Sequence, residues 1–289
     1  HDVFGFDTVA PYFSVLLEAS ALGAQIHWGG PNESPYVKKT AFQKLEDLRV
    51  EDGYLEKNEF RQMLKAVRIL KKRHGEDAAV IGKVIGPWTL AYNLYGVEKL
   101  VLDTILEPEK TKKVIAELSA VPIAFAKAQF AEGADAVTWA EHVTGDLVSA
   151  QIYRDFVFDV HCRVCRELKA YGPLILHVCG NVEDRIGLFA ETGFDCFHFD
   201  SRNDAAKLMR IAGDRIKLGG GISNPITLAR GTPSMIKKDV LHNAACGISM
   251  IGPECAIPTN VTTGVLKELT KVIHSQASLK AYRSYNLER

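Results

Sequence analysis

The chain has 289 residues, 47% of them hydrophobic and 24% charged, and Lys plus Arg equals Asp plus Glu at 35 each. This is globular composition, enough for one large α/β domain or two smaller ones, and the zero net charge offers no field toward nucleic acid or an anionic membrane. No apolar run reaches the roughly 18 residues of a membrane span, and HDVFGFDTVAPYF lacks the basic-then-apolar order of a secretory leader.

In chain order, DTVAPY (7–12) reads as the first strand. AQIHWGGPNESPYVKKTAF (24–42) breaks the pattern with Gly and Pro, as an extended insertion forming a hairpin over a barrel mouth. A helical period covers 57–74, AAVIGKVIGP (78–87) is a strand, 108–132 is helical, and ADAVTWAE (134–141) is the next strand. The alternation continues with a helix over 151–171, a strand at LILHVCG (174–180), a helix over 183–192, and a strand at CFHFD (196–200). A helix over 203–212, the strand IKLGGGI (216–222), a helix over 233–245 and the strand ISMIGP (248–253) complete it. Such continuously apolar strands suit a parallel sheet covered on both faces. Strands that each hand over to a helix predict a single-domain (β/α)8 TIM barrel over 1–289. Seven strands are present, so the first strand of the barrel is expected to precede residue 1, in keeping with the missing initiator Met.

The segments just past these strands share a polar character: GPWT (86–89), AEHVTG (140–145), HVCGN (177–181), FDSRND (199–204), GGISNP (220–225) and GPECAIP (252–258). In a barrel they converge on the C-terminal face, where active sites sit. His177 and Cys179, two apart on a strand, point to one side, and Cys255 follows the last strand. Two readings stay open. Either a His and two Cys are core residues, or they are three ligands of a catalytic zinc with an open fourth position. The six cysteines are too sparse for a disulfide scaffold. A reducing cytoplasm is therefore expected, where Cys clusters mean metal or catalysis more often than cross-links.

LHVCGN, GGISNPITL and GPECAIP, in this order and spacing, resemble the methylcobalamin:coenzyme M methyltransferases of the uroporphyrinogen decarboxylase-like superfamily, as do GPWTLA (86–91) and EGADAVTWAE (132–141). The similarity runs over about residues 7 to 273. It implies a uroporphyrinogen decarboxylase-like barrel with His177, Cys179 and Cys255 as ligands of Zn²⁺. In that family the fourth position alternates between a carboxylate and the acceptor thiolate. Asp200 is the nearest match, one methylene shorter than the family's Glu, with Asp204 and Glu254 as fallbacks; an N-cap role fits Asp200 equally. The resemblance further implies a methylcobalamin or related corrinoid as methyl donor, carried on a corrinoid protein partner, and a small thiol such as coenzyme M as acceptor, the chemistry of methanogenesis. The same barrel and zinc also serve the opposite direction, from a methylated substrate to a corrinoid protein. Tetrapyrrole decarboxylation is the third reading, disfavoured by the few Arg at the strand ends. No nucleic acid or membrane partner is expected.

Weaker candidates complete the set. The resemblance implies that Ser223 and Asn224, after LGGGI, lie at the substrate pocket or the corrinoid-facing rim, and the glycines there admit a ligand close to the backbone. Glu141 and His142 are substrate-side, acid–base or ligand-orienting groups, or plain loop polarity. Cys162 and Cys165 share a helix face in HCRVC, which suits packing better than metal. Trp28, Trp88 and Trp139 either line an apolar mouth or pack its rim.

Overall fold

The computed structural model describes residues 1–11, 14–30, 33–50 and 52–287. Its contacts divide the chain into two compact units: an N-terminal one of Thr8–Val143 and Leu147–Ile175, and a C-terminal one of Leu176–Arg289 with His1–Asp7 and Thr144–Asp146.

The N-terminal unit runs β1 (Thr8–Val9), α1 (Leu17–Ala21), β2 (Gln25–His27), β3 (Tyr36–Lys39), α2 (Asn58–His74), β4 (Ala79–Ile85), α3 (Pro87–Tyr95), α4 (Val97–Leu106), α5 (Pro108–Leu118), α6 (Ala120–Ala131), β5 (Ala136–Ala140), α7 (Ala150–Tyr153) and α8 (Asp159–Leu168). β1 is shorter than expected. Pro11 has no N–H with which to extend a ladder, and Tyr12, the end of the expected strand, lies outside the described residues. The insertion is indeed a hairpin: β2 and β3 pair antiparallel, Ile26 opposite Val37. Pro31 and Asn32, inside the expected insertion, also lie outside the described residues.

β4 pairs in parallel with β1, Val9 opposite Val80, and with β5, Ile85 opposite Ala140. Helix α2 buries Phe60, Met63 and Val67, three positions that share one stripe of a 3.6-residue period. The helix expected over 108–132 divides at Ser119, whose hydroxyl donates to the Ala116 carbonyl at 2.7 Å. Pro122 then withholds the N–H that would have bonded to Leu118. Taken together, Pro108–Ala131 is long and apolar enough to cross a membrane by length and composition, which corrects the expectation that no such stretch exists. Its apolarity has a local reason, since Val114, Ile115, Leu118, Val121, Ile123, Phe125 and Ala126 are all buried inside the fold. The helix expected over 151–171 contains one π-helical turn, Arg154–Phe158, between α7 and α8.

β6 (Leu174–Val178) spans the division between the units, and the C-terminal unit continues with α9 (Ile186–Phe189), β7 (Cys196–Phe199), α10 (Ala205–Ala212), β8 (Lys217–Ile222), a π-helical turn at Asn224–Leu228, α11 (Pro233–Ala245), β9 (Met250–Pro253), α12 (Thr263–Ile273) and α13 (Gln276–Leu287). β8 lies parallel to β7, Phe197 opposite Leu218, and to β9, Gly220 opposite Ile251. Ile222, Leu228, Ile236, Val240, Leu269 and Val272 close a buried apolar cluster beneath these strands. Among the described residues the strand order is β1-β4-β5 in the N-terminal unit and β7-β8-β9 in the C-terminal unit. Parallel strands in sequence order with helical connections are the (β/α)8 pattern.

Candidate metal centre

Burial along β6 alternates, with Leu174, Leu176 and Val178 buried and His177 between them only partly so. The alternation turns His177 and Cys179 to the same side. Gly180 follows with φ +89°, a conformation that favours glycine, and redirects the chain. From the end of β9, Cys255 reaches the same place: its Sγ lies 3.3 Å from the Cys179 Sγ, and the Cys179 Sγ lies 3.1 Å from His177 Nε2. The three ligand atoms lie within 4.8 Å of one another, with Cys255 exposed.

A tetrahedral zinc with Zn–S near 2.3 Å and Zn–N near 2.0 Å would hold sulfurs roughly 3.8 Å apart and sulfur and nitrogen about 3.5 Å apart. The two separations that involve Cys179 are each shorter than this by about half an ångström, and the donor set, one imidazole and two thiols, suits zinc. No fourth His, Cys, Asp or Glu among the described residues joins the group. Sulfur hydrogen bonding from Cys179, against burial and together with the neighbouring His177 ring, holds the Cys255 thiol well below its ordinary value.

Two carboxylates build the frame around this cluster. Asp200, just past β7, accepts from Gly180 N at 2.9 Å, from Arg202 N at 2.8 Å and from the Arg202 guanidinium at 3.1 Å. Burial opposes its charge, but the Arg202 guanidinium and the N–H groups of Arg202 and Gly180 outweigh burial and hold its pKa below the usual carboxylate range. Asp200 thus anchors the residue after Cys179 and stands outside the three-ligand group. Asp204, not Asp200, is the N-cap of α10, accepting from Lys207 N at 2.7 Å. Glu254 is the second framing carboxylate. It accepts from Ser201 N at 2.8 Å and from Asn224 N at 2.9 Å, fixing the chain immediately before Cys255 to the ends of β7 and β8.

Ser223 and Asn224 belong to the same frame. Ser223 caps the turn 224–228 through Ile226 N, and the Asn224 amide donates to Ala256 O at 2.7 Å, next to Cys255. A polar recess of about 490 Å³ opens beside this frame, lined by Gly145, Asp146, Asn181, Glu183, Asp184 and Lys207.

Sequence reasoning missed His198. Its ring, on β7, packs 4.8 Å from that of His177, centroid to centroid. Its Nδ1 lies 2.8 Å from His177 Nδ1, and its Nε2 lies 3.0 Å from Pro253 O. Burial, reinforced by the adjacent His177 ring, pushes its pKa down to about 3. Gly220 of β8 leaves room for this ring and for the backbone of β7. A Cβ on Gly220 would stand 3.1 Å from His198 Nε2 and 2.7 Å from Phe199 O. The available signal was an imidazole two residues before Asp200 in an otherwise apolar strand, and hence on the same side of it.

The remaining candidates fall in the N-terminal unit. Glu141, at the end of β5, is fully buried and accepts from Thr89 N at 2.9 Å, the Thr89 hydroxyl at 2.6 Å and Trp88 N at 3.3 Å, across the first turn of α3. His161 Nε2 lies 3.5 Å away. His142 donates its N–H to the Thr89 hydroxyl and bonds through its ring to the Tyr92 hydroxyl. Glu141 is thus engaged as a helix anchor. Trp88 and Trp139 are fully buried and line no mouth, while Trp28 is 46% exposed. Cys162 and Cys165 lie on α8, Cys165 buried in the core.

Comparison with known proteins identifies the family. The uroporphyrinogen decarboxylase (URO-D) family model matches residues 1–276. A methylated-thiol–coenzyme M methyltransferase of Methanosarcina mazei is 28% identical over 258 residues, covering 89% of this chain and 69% of the relative. A methylcobamide:CoM methyltransferase of Methanosarcina barkeri is 28% identical over 260 residues, covering 89% and 76%. A solved methyltransferase from Methanosarcina mazei superposes with a TM-score of 0.90 at 25% identity, over 98% of this chain and 82% of the other. The chain belongs to the uroporphyrinogen decarboxylase family and has the (β/α)8 fold of that family, and the relatives and solved structure just described are methyltransferases.

Proposed function

We propose that His177, Cys179 and Cys255 hold a zinc ion and that the enzyme transfers a methyl group from a methylated corrinoid, presented by a corrinoid protein, to a small thiol such as coenzyme M. The observation that carries this reading is the meeting of one imidazole and two sulfurs within 4.8 Å at the ends of β6 and β9, with one sulfur exposed. The relatives named for methylcobamide and coenzyme M supply the substrate classes.

Bound zinc would supply the positive charge that keeps an acceptor thiol deprotonated near neutral pH. The protein's own residues prepare that place. His177 offers Nε2, the two cysteines offer sulfur, and Asp200 and Glu254 fix the backbone beside each cysteine, so the three donors are arranged before any ligand arrives. Two thiolates also balance the charge of a dication, leaving an acceptor sulfur electron-rich. In the transfer a sulfur–carbon bond forms as the cobalt–carbon bond of the substrate breaks, the electron pair stays with cobalt, and the acceptor's thiol proton passes to solvent. Two neighbouring thiols require reducing surroundings, which is the reason for placing the enzyme in the cytoplasm. The relative named for a methylated thiol favours a second use of the same site, with a methylated thiol as donor.

Elemental analysis of wild type and of His177→Ala, Cys179→Ser and Cys255→Ser tests the metal, and the absorbance change of methylcobalamin with coenzyme M tests the transfer. One zinc per wild-type chain, lost with each substitution, and thiol-dependent demethylation are expected. Wild-type protein that takes up no zinc, or that binds zinc without demethylating methylcobalamin, would overturn the reading.

A further inference from the structure

We infer that His198 is a positioning residue that holds His177 in the tautomer a metal requires; this deepens the reading of His177, Cys179 and Cys255 as a metal site. The argument is an accounting of protons. His198 Nε2 lies 3.0 Å from Pro253 O, and a carbonyl only accepts, so Nε2 carries the proton. A neutral imidazole has one N–H, which leaves His198 Nδ1 a bare lone pair. That lone pair faces His177 Nδ1 at 2.8 Å. Two lone pairs do not approach so closely without a proton between them, so His177 Nδ1 carries its proton and donates it. The backbone carbonyl of His198, 3.2 Å from the same nitrogen, shares it. His177 Nε2 is then the free lone pair, and it is the nitrogen that stands beside Cys179 Sγ at 3.1 Å.

The relay runs from β9 through β7 to β6, and its first member, Pro253, stands two residues before Cys255. One hydrogen-bonded chain therefore ties the orientation of the imidazole ligand to the strand that delivers the second thiol. Without it, His177 would be at liberty to protonate Nε2 and point an N–H where the metal must sit. Partners that orient a ligating imidazole in this way are typically worth about 10- to 100-fold in metal affinity.

The test is zinc affinity, measured by competition with a chromophoric chelator, in wild type, His198→Asn, His198→Gln and His198→Leu. Asn sets its amide oxygen where His carries Nδ1, so it still accepts from His177. Gln reaches toward Pro253 and offers nothing at the Nδ1 position. The expected result is binding about 10- to 100-fold weaker in the Gln and Leu variants, with Asn restoring most of it. A Gln variant that binds zinc as wild type does, or an Asn variant as weak as Leu, would overturn the inference. A second measurement needs no substitution: ¹⁵N shifts of the His177 ring, in the zinc-loaded protein or, should zinc not bind at all, in metal-free protein at a pH where the ring is neutral. A protonated Nδ1 upholds the relay even where the zinc reading has failed; a protonated Nε2 ends it.

Discussion

At the end of β5, Glu141 gathers two backbone N–H groups and a hydroxyl from the first turn of α3 and is sealed from solvent. At the ends of β7 and β9, Asp200 and Glu254 gather backbone N–H groups in the same manner. The chemistry of capture is shared, but what lies beside it differs. Next to Glu141 stand Trp88, Trp139 and His161, all fully buried. Next to Asp200 and Glu254 stand two sulfurs, one of them exposed. A buried carboxylate that satisfies a helix start is architecture in the first place. In the second, the same device sets the distance between groups that have no internal need of each other.

The sharpest way to break this comparison is to remove a donor on each side. Cys255→Ser is expected to weaken zinc binding by more than the roughly 100-fold reached by changes around a metal site and to abolish thiol demethylation of methylcobalamin, while the thermal midpoint of the metal-free chain moves little. Glu141→Ala is expected to do the reverse. It leaves three buried donors without their acceptor, and unpaired buried groups cost about 1–3 kcal/mol each, not fully additive. A loss of about 3 kcal/mol or more in urea unfolding is expected, with zinc content per folded chain unchanged. Zinc lost from a folded Glu141 variant would bring Glu141 back among the groups of the metal centre.

The difference between the two strand ends was only partly legible in the sequence. Continuous apolar runs marked the seven strands, because a strand covered on both faces must be apolar at every position, and the His-x-Cys spacing put both groups on one side of β6. Ligand geometry beyond that depends on what approaches from other strands. Glu141 reads as a substrate-side, acid–base or ligand-orienting carboxylate until the first turn of α3 is seen delivering Trp88 N and Thr89 N to it. His198 draws no attention in the sequence until its ring is found between His177 and the Pro253 carbonyl. Asp200 reads as a reaching ligand until Gly180 N and Arg202 are found holding it. The break at Ser119 turned on Pro122, visible in the sequence but overridden there by the apolar period.

A fourth buried carboxylate sharpens the comparison through pH. Glu18 on α1 accepts from Ile85 N at 2.8 Å, and burial raises its pKa from 4.5 to about 7, against the backbone N–H groups of Glu18 itself and of Ile85 and the charge of Lys83. Between these values the folded chain holds a proton that the unfolded chain has released. The stabilising contribution is complete below pH 4.5 and disappears as pH rises through about 7. Its full span corresponds to about 3 kcal/mol. Glu18→Gln keeps an acceptor for Ile85 N and carries no charge, so its stability profile across this window is expected to be flatter. Unfolding midpoints at pH 5 and pH 8 measure this, and a variant with the wild-type slope would assign the pH dependence elsewhere.

The smallest expected effect separates the two kinds of carboxylate most finely. Glu254→Gln preserves one of two acceptors and turns an amide NH₂ toward the N–H of either Ser201 or Asn224, loosening one strand end next to Cys255. An orienting group of this sort is worth on the order of 10-fold in zinc affinity, seen in the same chelator competition, with thiol methylation reduced in proportion at limiting zinc and restored when zinc is saturating. Glu141→Gln, the same substitution at the end of β5, is expected to leave zinc affinity at the wild-type value. Equal losses in the two variants would mean that zinc affinity follows general stability, and Glu254 would then hold the fold without aiming the thiol.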